Sequence, residues 1–469
     1  MTIEWTGSSP ELLLPLDRNS GEALRSQLER GLREAIRGGR LKPGERLPST
    51  RELAGALGIA RGTVVECIDQ LQAEGYLVTR AGAPTRVSPS AHPAAPATKP
   101  ATPARPRLAV DFLPGVPDLA SFPRSEWART VAEVCRAAPN ASFDYGERRG
   151  SQPLRAVLAS YLGRVRGAAA DPERIVISTG FTQGLNLALM TLAARGVDRV
   201  AFEDPGYDET GRIATARAGV SLVPVPVDED GLRVDALAAT GARAVVVTPA
   251  HQWPTGVVLS PQRRLALANW AVDTGGWVIE DDYDAEFRYD RDPVGMVQGL
   301  APERVINIGT VSKSLVPSLR LGWLLCPAEL IDGVATTKIE TDRGSPGLEQ
   351  DVLARLIESG RFDRQLRRMR KLYAGKRAAL LDALAEHAPA IGVSGLAAGF
   401  HAVAHLPAGV DEQATIEAAR ARGVGLYGMS PSRSTKAVDP PQLILGFGNL
   451  TVRAIRDGIT GIADLLRPQ

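Results

Sequence analysis

One stretch decides the architecture of this chain before any motif is read. From Ser88 to Arg107 the sequence is SPSAHPAAPATKPATPARPR, a Pro/Ala-rich run that cannot bury a core and favours extended, semi-stiff conformations. Such a run connects domains. At 469 residues the chain is longer than one hydrophobic core usually organises. The organisation expected is a small module over 12–88, a linker over 89–108 and a large domain over 109–469.

The small module reads as three helices and a wing. Leu24, Leu28, Leu32, Ala35 and Ile36 recur at helical spacing and stop before Gly38-Gly39 and Pro43. Ser49-Thr50-Arg51-Glu52 has the form of a capping box, opening a short helix that ends at Gly58. A third helix starts near Arg61, buries Val64, Ile68 and Leu71 and ends at Gly75. Residues 76–80 and 85–87 then read as strands around Gly82. The order is that of a winged helix-turn-helix; the bland alternative is a protein-interaction module. Charge separates the two only modestly: twelve Arg/Lys face nine Asp/Glu between Leu16 and Ser88, while the whole chain carries +2. Motif order therefore weighs more than charge.

The string LPSTRELAGALGIARGTVVECIDQLQAEGYL resembles the GntR-type winged helix. That resemblance implies that Arg51, Arg61 and Thr63 meet the phosphates and base edges of double-stranded operator DNA. It also makes Gly82 the wing tip. Many relatives carry a basic residue two positions after the Thr; here Val65 is followed by Glu66, so one family contact is missing.

Past the linker, the runs 174–177, 199–202, 244–247, 277–279 and 304–307 are short and β-branched, with Ala/Leu helical patterns between them. Buried runs alternating with helices predict an α/β domain with a mostly parallel sheet, whose ligands sit at the carboxyl ends of the strands. Three polar clusters follow such strands. Ser178 to Gly184 leads into an apolar helix, where free amides and the helix dipole suit a phosphate. Its bland alternative is turn geometry alone. In Glu280-Asp281-Asp282-Tyr283-Asp284, Asp281 and Tyr283 would share one side if the strand persists; a solvated acidic loop and a cation site are the alternatives. Gly309 to Leu315 sets Lys313 among small hydroxyl residues, with Arg320 seven positions on. A desolvated lysine beside positive charge is the form that attacks an aldehyde.

A phosphate cradle, an Asp/Tyr pair and a Lys followed by Arg are together the parts that pyridoxal 5'-phosphate (PLP) requires. With EDPGY at 203–207, TPAHQWPTG at 248–256, EDDYDAEFRY at 280–289 and GTVSKSLVPSLRLGW at 309–323, the large domain resembles a fold-type I aminotransferase. With its GntR-like head the whole chain resembles the MocR/GabR regulators. The resemblance implies a PLP-dependent transferase fold with a mostly parallel sheet and a smaller α+β subdomain. It makes Lys313 the Schiff-base lysine, pairs Asp281 with the pyridine nitrogen and Tyr283 with the phenolic oxygen, and stacks Tyr207 on the ring. Phe181, Thr182, Thr310 and Arg320 hold the phosphate, and Tyr145 reaches the partner's phosphate across a homodimer.

Two positions depart from a working aminotransferase. Trp253 stands where enzymes of the fold carry an Asn that donates to the phenolic oxygen. Ile444 stands where they carry an Arg that clamps a substrate carboxylate, unless Arg433 substitutes. The function expected is a transcription regulator that senses PLP or an amine effector; the alternative is an aminotransferase with true or residual turnover. Cys67, Cys135 and Cys326 fit neither a disulfide framework nor a zinc site. No apolar run approaches the roughly eighteen residues of a membrane span, and the first sixteen residues lack a signal-peptide pattern. The expected location is the cytoplasm, with no resident metal.

Overall fold

The chain separates into two units, Met1–Arg105 and Pro106–Gln469, in a computed structural model that describes residues 16–80, 83–89, 108–289, 295–435 and 440–467. Most of the proposed linker and Gly82 lie outside the described residues.

In the first unit the apolar spacing yields α1 (Leu24–Arg37), α2 (Thr50–Leu57) and α3 (Arg61–Ala73). Leu28, Leu32, Ile36, Leu53, Val64, Ile68 and Leu71 close over one another as a single core. The capping box forms as read: the Ser49 hydroxyl accepts from Glu52 N, and Glu52 returns a carboxylate oxygen to Ser49 N. The wing is shorter than the sequence suggested. β1 (Leu77–Val78) and β2 (Arg86–Val87) pair antiparallel for two residues each, enough to bury Leu77 and Val87 against the helices.

The second unit is built on an eight-stranded sheet. In chain order, β3 (Val110–Asp111) is followed by β4 (Ile175–Ser178), β5 (Arg199–Asp204), β6 (Ser221–Asp228), β7 (Gly231–Leu232), β8 (Ala244–Val247), β9 (Trp277–Asp282), β10 (Val305–Thr310) and β11 (Gly322–Leu325). The main sheet has the order β4-β11-β10-β9-β8-β5-β6-β7. Strands β10, β9, β8, β5 and β6 run parallel. Strand β11 is antiparallel to both β4 and β10, so β4 points the same way as the parallel set. Every residue of β4, β8, β9 and β10 is buried, as expected for a sheet covered on both faces. All five strands read from the sequence are present within one to three residues at their ends.

Strands β6, β7 and β11 were not read from the sequence. Pro224 and Pro226 made β6 look broken, but β6 lies beside the sheet edge and meets β7 only at Val227 and Asp228. There the missing N–H groups are tolerated. Four further helices matter for the site: α4 (Arg124–Ala137), α5 (Gln152–Arg166), α6 (Phe181–Ala194) and α7 (Asp208–Ala218). A smaller antiparallel sheet follows, of β12 (Gly392–Ser394), β13 (His401–His405) and β15 (Gln442–Gly446), while β14 (Val424–Gly425) pairs with β3. The carboxyl ends of β4, β5, β8, β9 and β10 thus share one edge, and each of the polar clusters leaves from it.

Candidate functional site

The site begins where β4 turns into α6. Gly180 adopts φ +106°, a backbone that disfavours any side chain, and α6 starts at Phe181 with no side-chain cap. Gln183 Oε1 takes the Thr179 amide and Ser178 Oγ takes the Gly180 amide. The amides of Phe181 and Thr182 are those that helix geometry leaves without an intrahelical acceptor. Arg320, itself left-handed at φ +48°, brings its guanidinium to this turn. A Cβ on Gly180 would meet its Nη2 at 3.3 Å and Nη1 at 3.5 Å. Two free amides, a helix dipole and a guanidinium form a receptor for a dianionic phosphate.

The Thr310 hydroxyl bonds Leu321 O at 3.1 Å and Ser312 Oγ at 2.9 Å, so it ties the lysine loop to the residue just before β11.

Lys313 leaves that loop with its Nζ 2.5 Å from the carbonyl of Gly115. Burial pulls its ammonium below the ordinary lysine range; Asp284 and Asp281 oppose the shift, and Arg320 adds to it. Asp281 is buried in β9. Burial pushes its carboxyl well above the usual range, a hydrogen bond from Tyr207 works against that, and Asp282 reinforces it. The Tyr207 hydroxyl donates to Asp281 Oδ2 at 2.9 Å, while Oδ1 is buried with no hydrogen-bond partner among the described residues.

Tyr207 caps α7 and lies between two other rings, Phe181 at 5.3 Å and Trp253, stacked, at 6.1 Å. Strand β9 ends at Asp282, so Tyr283 sits in the bend beyond it and donates to His251 O at 2.8 Å. The structure therefore gathers Phe181, Thr182, Tyr207, Asp281, Tyr283, Lys313 and Arg320 at one edge of the sheet. Tyr145 is elsewhere: it is 80% exposed, with Arg343 over its ring at 5.6 Å.

Sequence reading missed three features. The Gly115 carbonyl has no sequence signal at all. The pair His251 Nδ1 and Asp284 Oδ2, 2.8 Å apart and buried, lay inside quoted motifs, but its members are thirty-three positions apart. Finally, Ile444, Val403 and Met429 form a small apolar cluster against which Trp253 packs. The two departures from the enzyme pattern line the same wall. Arg433 follows a short turn at Ser430–Ser432, and its Nε is buried without a partner among the described residues.

In the first unit Arg51 and Arg61 are exposed at the starts of α2 and α3, and Thr63 is half-buried. Arg61 Nε bonds Thr50 Oγ1 at 3.3 Å, which links the two helices. Among the described residues no helix is long and apolar enough to cross a membrane.

Comparison with known proteins agrees with both halves. Residues 24–87 match the bacterial regulatory proteins of the gntR family, and residues 115–432 match aminotransferase class I and II. The probable rhizopine catabolism regulatory protein MocR of Rhizobium meliloti is 34% identical, over 96% of this chain and 95% of its own length. The pyridoxine biosynthesis regulator PdxR of Corynebacterium glutamicum is 32% identical, over 97% and 98%. Among solved structures, Pyrococcus horikoshii kynurenine aminotransferase, in complex with PMP, superposes with a TM-score of 0.69 at 26% identity. That match covers 76% of this chain and 90% of that one. The two regulators align with nearly the whole chain, and the chain belongs to the MocR-type family, in which a GntR winged helix precedes an aminotransferase class I and II domain.

Proposed function

We propose that this chain is a DNA-binding transcription regulator whose aminotransferase-like unit binds PLP at Lys313 and reads PLP, or an amine that reacts with it, as its signal. The observation that carries this reading is near-full-length similarity to named regulators, on a chain whose large unit keeps an amine, a carboxylate and a phosphate cradle suited to PLP. The fit is specific: an unpartnered buried oxygen of Asp281 for a pyridinium hydrogen, a half-buried, partly desolvated amine in Lys313, and the Gly180–Arg320 cradle for a phosphate. Bound PLP supplies an electrophilic carbon and an electron-withdrawing ring.

The protein's own groups do the rest. Lys313 offers an amine that desolvation keeps reactive. Asp281, through its unpartnered Oδ1, would hold a proton at the ring nitrogen, and Tyr207 would stack on the ring. The amides of Phe181 and Thr182, with Arg320, orient the phosphate, and Thr310 steadies the loop that carries the lysine. Arg51, Arg61 and Thr63 would face the operator. Tyr145, too exposed to serve its own site, fits a role in a partner's site and hence a homodimer.

The apolar wall of Trp253 and Ile444 favours an effector without an α-carboxylate, or PLP itself. A second reading, an aminotransferase, is favoured by the retained cofactor groups and by the solved structures that the unit superposes on. The domain limits proposed are 12–88 and 109–469, with the linker between.

The test is a titration of PLP-stripped protein with PLP, recording the visible band that PLP acquires on bonding a lysine amine and the affinity for upstream DNA in the same samples. A band that appears together with a change in DNA affinity, both lost in Lys313→Ala, is expected. A band with flat DNA affinity moves the signal to an amine. Absence of a band overturns the assignment of Lys313, and steady turnover of amino donors would favour the enzyme.

A further inference from the structure

The turn that forms the phosphate cradle is held from behind. Gln183, in the first turn of α6, is fastened at both ends of its carboxamide: Oε1 accepts the Thr179 amide at 2.8 Å, and Nε2 donates to Asp342 Oδ2 at 2.5 Å. Asp342 is the last residue of a helix that spans Ile331–Asp342, 159 positions further on. One turn earlier on that helix, Lys338 gives its ammonium to both Asp342 oxygens at 2.7 Å. The Lys338 side chain is 1% exposed, and its neighbours Val334 and Ala335 lie in the same apolar core as Leu185 and Leu189 of α6. A continuous chain thus runs from a buried cation, through two side chains, to a main-chain amide of the cradle turn.

Among the described residues every hydrogen-bond partner of the Asp342 carboxylate is a donor. Besides Lys338 and Gln183, the Gly344 amide donates to Oδ1 at 3.0 Å. Burial disfavours a charge on Asp342, but hydrogen bonds from Lys338 and Gln183 prevail and hold its carboxyl below the usual range. Burial also pulls the Lys338 ammonium down, and Asp342 opposes that shift. With both oxygens at 2.7 Å, the ion pair is the state that satisfies the two groups together. A second arm leaves the same carboxylate through Gly344. Arg343 and Gly344 both have positive φ, +61° and +136°. The Arg343 guanidinium covers the Tyr145 ring at 5.6 Å, and a Cβ at Gly344 would stand 3.6 Å from the Tyr145 carbonyl.

We propose that Asp342 is a positioning residue for the phosphate of PLP: through Gln183 it preorganises the Thr179–Gly180 turn, and through Gly344 it seats Tyr145. The proposal rests on the reading that PLP binds with its phosphate in this cradle and that Tyr145 serves a partner subunit's site.

The reason a brace is needed lies in Gly180. Its φ of +106° is open to glycine, and glycine restricts its own backbone least of all residues. Left to itself, the turn would have to be ordered by the phosphate, and the entropy lost on ordering would weaken binding. Gln183 removes that freedom beforehand, because it ties the residue before Gly180 to the helix after it.

The test compares PLP with pyridoxal, which keeps the aldehyde and the ring but has no phosphate. Each is titrated into PLP-stripped full-length protein and followed by its visible band, beside a thermal melt of the stripped protein. Gln183→Leu and Asp342→Asn remove the same arm, since the Asn amide cannot accept from Gln183 while its oxygen still serves Gly344. Each should weaken PLP about fivefold, the equivalent of one ordinary hydrogen bond, and leave pyridoxal unchanged. Asp342→Ala releases Gly344 too and should weaken PLP further; in a Tyr145→Phe background that excess should vanish. PLP and pyridoxal weakened alike, or neither weakened, in Gln183→Leu overturns the proposal: the side chain would then serve the fold alone, or the turn would need no brace. An excess that persists without the Tyr145 hydroxyl overturns the second arm. Should either Asp342 variant fail to fold, Gln183→Leu decides, because it leaves the Lys338–Asp342 pair intact. Wild-type protein that forms no band with PLP refutes the underlying reading and this inference together, whereas a wild-type band with the wrong pattern of PLP against pyridoxal refutes the inference alone.

Discussion

Arg320→Gln isolates the phosphate cradle. The guanidinium stands beside Gly180 with both terminal nitrogens at near-contact distance, over the two first-turn amides of α6. A fork in that place makes two charge-assisted hydrogen bonds to a phosphate, each contributing about 1.5–3 kcal/mol. Gln can keep one neutral bond, so the net loss is about 3 kcal/mol, roughly a hundredfold in Kd. Folding should hardly notice. Arg320 is exposed, and Gln carries the same Cβ, so the backbone penalty at φ +48° is unchanged. The assay is an absorption titration of PLP-stripped protein with PLP, paired with a thermal melt of the stripped protein. The expected pattern is a large drop in affinity with a melting temperature that does not move. An affinity within about threefold of wild type, some 0.7 kcal/mol, would refute the assignment of the cradle, and a collapsed melt would show that Arg320 is structural.

Three further outcomes are expected. Arg166→Leu removes the partner of Asp282, now 2.6 Å away in a buried pair; leaving that carboxylate alone costs about 3–5 kcal/mol, readable as a drop in urea midpoint. Arg61→Gln should weaken operator binding and reduce the slope of log K against log salt by about one, measured by fluorescence anisotropy across a salt series; an unchanged slope would remove Arg61 from the phosphate contacts. Glu203 is buried and desolvation raises its carboxyl to about 7, and Glu286 behaves alike. A carboxyl whose folded pKa lies above its unfolded one contributes stability that is fully present below the unfolded value, near 4.5, and is lost as pH rises through about 7. Denaturation midpoints of wild type should therefore fall between those pH values, and Glu203→Gln should flatten part of that fall.

The sequence made the scaffold legible where pattern and local chemistry coincide. Ser49 and Glu52 sit three apart with nothing between them but a helix start, and the capping box forms between them. The wholly buried runs of β4, β8, β9 and β10 could be nothing but interior strands. Legibility ended where tertiary context overrode local rules, as in β6, whose two prolines are harmless only because of where the strand lies. In the site, residues with a distinctive chemical type in a recognisable string, Lys313, Asp281 and Arg320 among them, were found from sequence. Thr310 was found too, but its hydroxyl is turned to the loop, a choice that depends on Leu321 eleven positions away. The Gly115 carbonyl was invisible because every residue has one. The His251–Asp284 pair was invisible because nothing local ties a residue after β8 to one after β9; only the parallel register of those strands brings them together.

The shared wall of Trp253 and Ile444 bears on how such a unit can change its trade. An arginine placed at position 444 alone would enter a cluster of Val403, Met429 and the indole, a buried cation with no counter-charge, which is strongly destabilising. An asparagine placed at 253 alone would restore a donor but strip the indole from its packing against Ile444 and from its stack on Tyr207. Each single step is unfavourable where the pair together could form a polar, carboxylate-gripping pocket. The two positions are therefore epistatic, and the passage between sensing an amine and turning one over is a double step with a valley between.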